Sequence, residues 1–282
     1  MAMIELIIHA VLFPTTLALI IFLLPRWPWS VDIGQRINVW TAAPAISMAT
    51  ILSLYAVEGP EIWNLTQKWH SLWICALILG IGAMIASITS GKAWGKMERV
   101  KHVQESLILA CSSGLAIFFL KMPNIDGPIH RLCLAIGISV AVLLLVKPSN
   151  RAPIILPFSI CFVLCILAVF LIVSGSLKMA LIASSISVTA GICAILTVVG
   201  RGFSGGPSFS MAGITITFAI ALYGISYHNK SNVPYEFWWI VAFTPLLLCF
   251  ASWFRSQIAM RVGFVAILVV CIPLMIFAIQ KV

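Results

Sequence analysis

Long runs of apolar residues fill most of the chain, and only short polar stretches separate them. A helix needs about 20 residues to cross a hydrocarbon core of about 30 Å, and ten of these runs are long enough. The pattern predicts helices over 3–24, 37–57, 69–90, 104–122, 130–147, 153–174, 178–200, 208–228, 236–254 and 260–280. The connections are too short for a soluble domain. We therefore expect one integral membrane domain over 1–282, an all-α polytopic bundle of about ten membrane-spanning helices.

The composition supports this prediction and excludes a water-soluble protein. Hydrophobic residues make up 62% of the chain and charged residues 9%, whereas a soluble domain carries about 25% charged residues. The formal net charge is +9, but the basic residues lie singly in short connections, as orientation signals do. Membrane lipids are therefore expected partners and nucleic acid is not.

The basic residues also predict how the chain is oriented. On the ten-helix topology, eleven fall on one side of the membrane and six on the other. The eleven are Arg26, Arg36, Lys92, Lys96, Arg99, Lys101, Lys147, Arg151, Arg201, Arg255 and Arg261, and the six are Lys68, Lys121, Arg131, Lys178, Lys230 and Lys281. The positive-inside rule then places both termini outside the cytoplasm.

Several residues modify the helices or mark their ends. Kinks are expected at the prolines within the predicted helices, which are Pro14, Pro44, Pro157, Pro245 and Pro273. The ten tryptophans all lie near predicted helix ends, where aromatic belts form at the membrane interface. Small residues recur on helix faces, as in Gly80 to Gly82, Ser112 to Gly114 and Ala183 to Ser187, and they predict closely packed helices.

Candidate chemistry is sparse, because no charged residue falls at the middle of a predicted span. Glu5 and His9 lie four residues apart on one face of the first helix, where they could hold a cofactor of unknown identity. The alternative is an interfacial helix start whose polar groups bond to neighbours. His70, His130 and His228 are expected too close to water to ligate a membrane haem. The cysteines fall inside apolar runs, and no metal site is predicted.

A second group of candidate residues is basic. Lys92, Lys96, Arg99 and Lys101 cluster in one connection, and Arg201 lies in a glycine-rich connection further along. Each is first explained as a topology anchor or as part of a flexible turn. Each can also contact an anionic lipid or a partner protein.

Short motifs give one resemblance. The segments Leu171-Ile-Val-Ser-Gly-Ser176, Ala221-Leu-Tyr223 and Pro245-Leu-Leu, with Ala56-Val-Glu-Gly-Pro60, resemble uncharacterised polytopic membrane proteins of planctomycete-type bacteria. The resemblance implies a location in the bacterial inner membrane. It implies no activity and no functional residues.

Three functions remain open from the sequence. The first is a non-catalytic integral subunit or scaffold of a larger membrane complex with partner subunits, and it should expose an apolar or small-residue face for a partner. The second is a permease for a neutral, apolar or lipid-like solute, which should contain a polar-lined central cavity. The third is an intramembrane redox or cofactor-binding subunit, which should be coloured when purified.

Overall fold

The computed structural model describes residues 3–23, 31–65, 67–91, 98–122, 125, 127–199, 205–226, 233–254 and 256–280. Within these ranges it describes only the backbone of 3, 31–40, 90–91, 98–102 and 257. All ten predicted helices are present, and the described ranges contain no strand, so the predicted all-α bundle is confirmed. The helices are α1 (3–23), α2 (Val31–Glu58), α3 (Leu72–Gly91), α4 (Glu98–Phe118), α5 (Pro128–Arg151), α6 (Ile155–Val173), α7 (Leu177–Val199), α8 (Gly206–Ser226), α9 (Tyr235–Trp253) and α10 (Gln257–Gln280).

Nine helices in the described part of the chain are long and apolar enough to cross a membrane. The exception is α4, whose first two turns carry charged residues and leave the shorter apolar stretch Val103–Phe118. The bundle is therefore that of a multi-pass integral membrane protein. Nothing in the packing tests the prediction of one domain over 1–282, and that prediction stands as made.

Four helix boundaries differ from those predicted by four residues or more. One is the end of α4, which lies at Phe118 rather than at 122. Helices α2 and α4 begin six residues earlier than expected, at Val31 and Glu98, because their first turns are polar and hydropathy does not detect them. Helix α5 was expected to stop at Lys147, before Pro148, yet it continues to Arg151. Pro148 removes only one hydrogen bond from the last turn, the one to Leu144, so the helix tolerates it.

Helix α8 lies at the centre of the bundle. It packs against α2, α3, α4, α5, α6 and α9, and every residue from Gly206 to Gly224 is buried. Glycines allow this close packing: a Cβ atom added at Gly213 would lie 2.7 Å from Cδ1 of Ile160. The indole ring of Trp238 lies directly over Gly224 and is fully buried. The interior around α8 is therefore filled by side chains.

The burial of Trp238 corrects one sequence expectation. Trp238 lies in the first turn of α9, as predicted, but it faces α8 rather than the membrane interface. It packs edge-on against Phe170 of α6, with ring centroids 5.4 Å apart. Trp63 and Trp253, in contrast, are exposed near helix ends, as residues of an aromatic belt are.

Small and hydroxylated residues join neighbouring helices, as the sequence predicted. The hydroxyl of Ser139 on α5 donates to the carbonyl of Ala110 on α4 at 2.8 Å. Likewise, the hydroxyl of Ser187 on α7 donates to the carbonyl of Cys161 on α6 at 2.7 Å. Hydrogen bonds of this type stabilise helix pairs where no water competes for the polar groups.

Hydroxyl groups also donate to two carbonyls whose usual helical partner, four residues further on, is a proline without an N–H. Pro14 has no N–H to donate to Ala10, and α1 contains a π-helical turn, Ile8–Leu12, just before it. Ser53 of α2 supplies the missing donor, with its hydroxyl 2.6 Å from the carbonyl oxygen of Ala10. The helix is therefore irregular just before Pro14, where a kink was predicted.

Within α9, too, a hydroxyl group donates to a carbonyl that a proline cannot reach with an amide. Pro245 cannot donate to the carbonyl of Val241, and that oxygen instead accepts from the backbone N–H of Thr244 and, at 2.7 Å, from the Thr244 hydroxyl. The helix is interrupted there by the 3₁₀ turn Thr244–Leu246 and resumes at Leu247. The interruption lies at Pro245, where a kink was predicted.

The remaining three prolines of that expectation lie in uninterrupted elements. Pro44 and Pro273 are inside α2 and α10, which continue as α-helices on both sides. Pro157 lies in the first turn of α6, where a backbone N–H would have no acceptor within the helix. Proline alone therefore does not interrupt a helix of this bundle.

Candidate functional site

The carboxylate of Glu58 is the centre of a polar cluster at one end of the bundle. Glu58 ends α2, and the chain turns at Gly59, whose φ of +68° favours glycine. The Glu58 side chain is only 5% exposed, and its Oε1 lies 2.5 Å from Nζ of Lys178 in the first turn of α7. Its other oxygen, Oε2, lies 3.6 Å from Nε2 of His70. Glu58 therefore links the end of α2 to the start of α7 and to the 3₁₀ turn that precedes α3.

His70 is held by the 3₁₀ turn Lys68–Ser71 that precedes α3. Its Nδ1 accepts a hydrogen bond from the backbone N–H of Gln67 at 3.5 Å, and its ring is fully buried. Trp69 packs edge-on against the imidazole at 5.0 Å and donates its indole N–H to the side-chain oxygen of Gln67. Because Nδ1 accepts, the neutral ring carries its proton on Nε2, which faces Glu58.

A second group of hydrogen bonds adjoins this cluster through Lys68 and Ser71. The Tyr223 hydroxyl, at the buried end of α8, lies 2.9 Å from the Ser71 hydroxyl, 2.9 Å from the Lys68 carbonyl and 3.0 Å from the Lys121 carbonyl. The backbone N–H of Lys121 in turn donates to the Ser71 hydroxyl at 2.8 Å. Tyr223 thus joins the central helix to the start of α3 and to the segment that follows α4.

The cluster combines a carboxylate, an imidazole and an ammonium group at a membrane interface. The Glu58 carboxylate lies beside the buried His70 ring, and Lys178 balances the carboxylate charge. No group of three His, Cys, Asp or Glu side chains that could hold a metal occurs in the described part of the chain. The arrangement is that of a polar cluster that joins neighbouring helices at one end of the bundle.

The predicted cofactor residues lie elsewhere. Glu5 and His9 are both exposed on α1, and His9 is part of its π-helical turn. The residues of that turn that face the bundle are Ala10 and Val11, which are buried. The structure does not test a cofactor site at Glu5 and His9, and it stays a prediction.

The predicted lipid or partner contacts are also untested. Lys92, Lys96 and Arg201 lie outside the described residues. Arg99 and Lys101 lie in the first turn of α4, where the structure describes the backbone but not the side chains.

The positions of the histidines contradict the sequence expectation for His70 and agree with that for His130. His70 was expected close to water, but it is fully buried beneath Trp69 and beside Glu58. His130 is exposed, as expected, and His228 lies outside the described residues. The sequence signal for His70 was its place at the same end of a helical hairpin as Glu58. Nothing local in the sequence connects Lys178 or Tyr223 with them, because both contacts join segments far apart in the chain.

These features define the class of the protein, a multi-pass integral membrane protein with a filled helical interior and a polar cluster at one membrane interface. No protein-family model, curated protein or solved structure matches the chain. Functional argument therefore rests on the residues themselves.

Proposed function

We propose that the chain is a non-catalytic integral subunit or scaffold of a larger membrane protein complex. The observation that supports this is an open notch on the outer face of α5. Cys133 and Gly137 are four residues apart and both exposed, and a Cβ atom added at Gly137 would meet nothing within 4 Å. Small residues four apart let a second helix approach the backbone closely.

The notch at Gly137 differs from the other helical glycines whose surroundings the structure describes. Each of those seven lies against a neighbouring side chain of the same molecule, as Gly82 does against Ser112, Gly114 against Ser139, Gly191 against Cys161 and Gly263 against Ala251. The bundle thus fills such sites with its own helices. The open position at Gly137 is suited to a transmembrane helix of a partner subunit.

The filled interior supports the same proposal. A permease with a permanent central pathway would need space around its central helix, whereas α8 is enclosed by packed side chains along nearly its whole length. The polar groups of the Glu58 cluster are engaged with one another. In this proposal the cluster braces the bundle and performs no catalysis.

The experiment is gentle extraction of the tagged chain from its own membranes, with and without Gly137→Leu, followed by mass analysis of the proteins that accompany it. A leucine at Gly137 has room in the isolated chain, so it should leave folding intact and remove a stoichiometric partner. Val269→Phe is the matched control, because Val269 is exposed on α10 and far along the chain from α5. It should leave the partner bound.

Loss of the partner in both variants would contradict a docking site at Gly137. The absence of any stoichiometric partner from the unsubstituted chain would contradict the proposed function as a whole. Retention of the partner in the Gly137→Leu variant would place the interface on another face of the bundle.

Location and orientation belong to the same proposal. The resemblance to planctomycete-type proteins supports the bacterial inner membrane, and the excess of basic residues on one side supports termini outside the cytoplasm. The Glu58 cluster would then lie at the non-cytoplasmic interface. A reporter that is active only outside the cytoplasm, fused after the last helix, should be active. A reporter that is active only in the cytoplasm should be silent.

One observation favours the permease as a second candidate. The hydroxyls of Ser47, Ser185 and Thr215 lie buried within α2, α7 and α8, and none has a hydrogen-bond partner in the described part of the chain. Such hydroxyls can bind a neutral polar solute. Uptake of a panel of neutral solutes into vesicles containing the protein tests this candidate. Uptake that Thr215→Val abolishes would favour the permease over the scaffold.

A further inference from the structure

We propose that a groove between α5 and the second half of α9 binds an anionic phospholipid, with an acyl chain in the groove and the phosphate at Lys147. The groove has a volume of about 440 Å³. It is lined by two residues of α5 and five of the broken helix, namely Leu144, Lys147, Leu246, Cys249, Phe250, Ser252 and Trp253. This inference does not depend on the proposed scaffold function.

The interruption of α9 supplies one wall of the groove. Helix α9 changes to a 3₁₀ turn at Thr244–Leu246, and its second half then packs beside α5 and α10. From there, Leu246, Cys249, Phe250 and Trp253 follow the spacing i, i+3, i+4 and i+7, which places them on one face. That face lines the groove.

The groove is open to the surrounding lipid. Leu144, Phe250 and Trp253 are exposed large apolar side chains of its lining. Its volume falls within the range of about 300 to 1,000 Å³ that is usual for ligand sites. An acyl chain entering sideways from the bilayer would cover these side chains, whereas a free phosphate ion would leave them uncovered.

Charge complementarity selects an anionic lipid. Lys147 is the one charged side chain in the described lining, and no carboxylate accompanies it there. Arg151 lies one turn further along α5 and donates to the carbonyl of Ser252 at 2.6 Å, which ties the two walls together at this end of the groove. A lysine near a helix end can extend toward the interface and meet a phosphate.

The first experiment locates the lipid. The full-length protein is placed in vesicles that contain either phosphatidylglycerol or phosphatidylcholine with the same photoreactive acyl chain. Crosslinks from phosphatidylglycerol should concentrate in 144–151 and 246–253, and those from phosphatidylcholine should be spread over the lipid-facing surface. Crosslinks from phosphatidylglycerol that are spread equally would overturn the proposal.

The second experiment measures affinity with matched variants. Lys147→Gln should lower the affinity for phosphatidylglycerol about fivefold and leave that for phosphatidylcholine unchanged. Lys121→Gln is the control, because Lys121 is exposed at the opposite end of the bundle, and it should change neither. Cys249→Phe, which fills the groove, should lower crosslinking at 144–151 by both lipids.

Two results would contradict the proposal. One is an equal effect of Lys147→Gln and Lys121→Gln on phosphatidylglycerol. The other is complete displacement of phosphatidylglycerol by millimolar inorganic phosphate, since this would indicate an anion site without an acyl chain. A folded Lys147→Gln variant, judged by an unchanged unfolding temperature, keeps both comparisons interpretable.

Discussion

The carboxylate of Glu58 and the ammonium group of Lys178 lie 2.5 Å apart, although 120 residues separate them in the chain. The two side chains have unequal surroundings: Glu58 is 5% exposed, whereas Lys178 is 58% exposed. The pair is therefore a nearly buried carboxylate whose counter-ion reaches it from the interface. Removing the lysine leaves the Glu58 carboxylate without this counter-ion, so substitution of Lys178 measures the contribution of the pair.

We expect Lys178→Met to lower the free energy of unfolding by about 0.5–1 kcal/mol, because the exposure of the lysine weakens the pair. The measurement is steric trapping in lipid bicelles. In a Glu58→Gln background the same substitution should cost nothing, because no carboxylate is left unpaired. Lys121→Met, an exposed lysine at the same end of the bundle, serves as control. Equal costs in both backgrounds would show that the ion pair does not contribute.

Tyr223→Phe tests the hydrogen bonds that join α8 to two other segments. The substitution keeps the buried ring and removes the hydroxyl that lies within hydrogen-bond distance of Ser71, Lys68 and Lys121. We expect a loss of about 1–3 kcal/mol in the free energy of unfolding, because buried partners lose their bonds. Tyr55→Phe removes the same atom from an exposed tyrosine and should have little effect. Similar losses in the two variants would contradict this account.

The hydroxyl of Ser53 is expected to matter because of Pro14. Ser53→Ala should cost about 0.6–1.7 kcal/mol, since the carbonyl of Ala10 then has neither the serine nor an amide at position 14 as donor. Pro14→Ala restores that amide. In the Pro14→Ala background, Ser53→Ala should therefore cost less. A double-mutant cycle on unfolding free energies measures the difference, and strictly additive effects would contradict the coupling.

Gly224 and Gly137 form a matched pair of positions for testing how closely the helices pack. Gly224→Ala would drive a methyl group into the indole of Trp238, so we expect a loss of about 1–3 kcal/mol from overpacking. Gly137→Ala places the same methyl group in open space and should be neutral or slightly stabilising in the isolated chain. Thermal unfolding in detergent distinguishes the two. Equal losses would indicate that the interior beside α8 is not closely packed.

The helices could be predicted from the sequence because the bilayer requires a long apolar run for each one. The same signal does not show which face of a helix is buried. Apolar residues surround most of these helices, so Trp238 was expected at the interface rather than over Gly224. The early starts of α2 and α4 were missed for a related reason, since hydropathy does not register a polar helical turn.

The polar cluster could be predicted only in part. Glu58 and His70 flank one short helical connection, so their place at the same end of the bundle follows from the topology. The burial of His70 does not, because it depends on Trp69 and on contacts with distant helices. Lys178 and Tyr223 meet this region only through the packing of α7 and α8, which no local pattern encodes.

The mass of the native particle tests the scaffold proposal most directly. The chain alone has a mass of 30.7 kDa. The protein is extracted in native lipid discs, released from them and measured by native mass spectrometry. We expect a complex in which this chain and other subunits are present in a fixed ratio. The Gly137→Leu variant should give the free chain. A 30.7 kDa species as the main component from unsubstituted membranes would contradict the proposal.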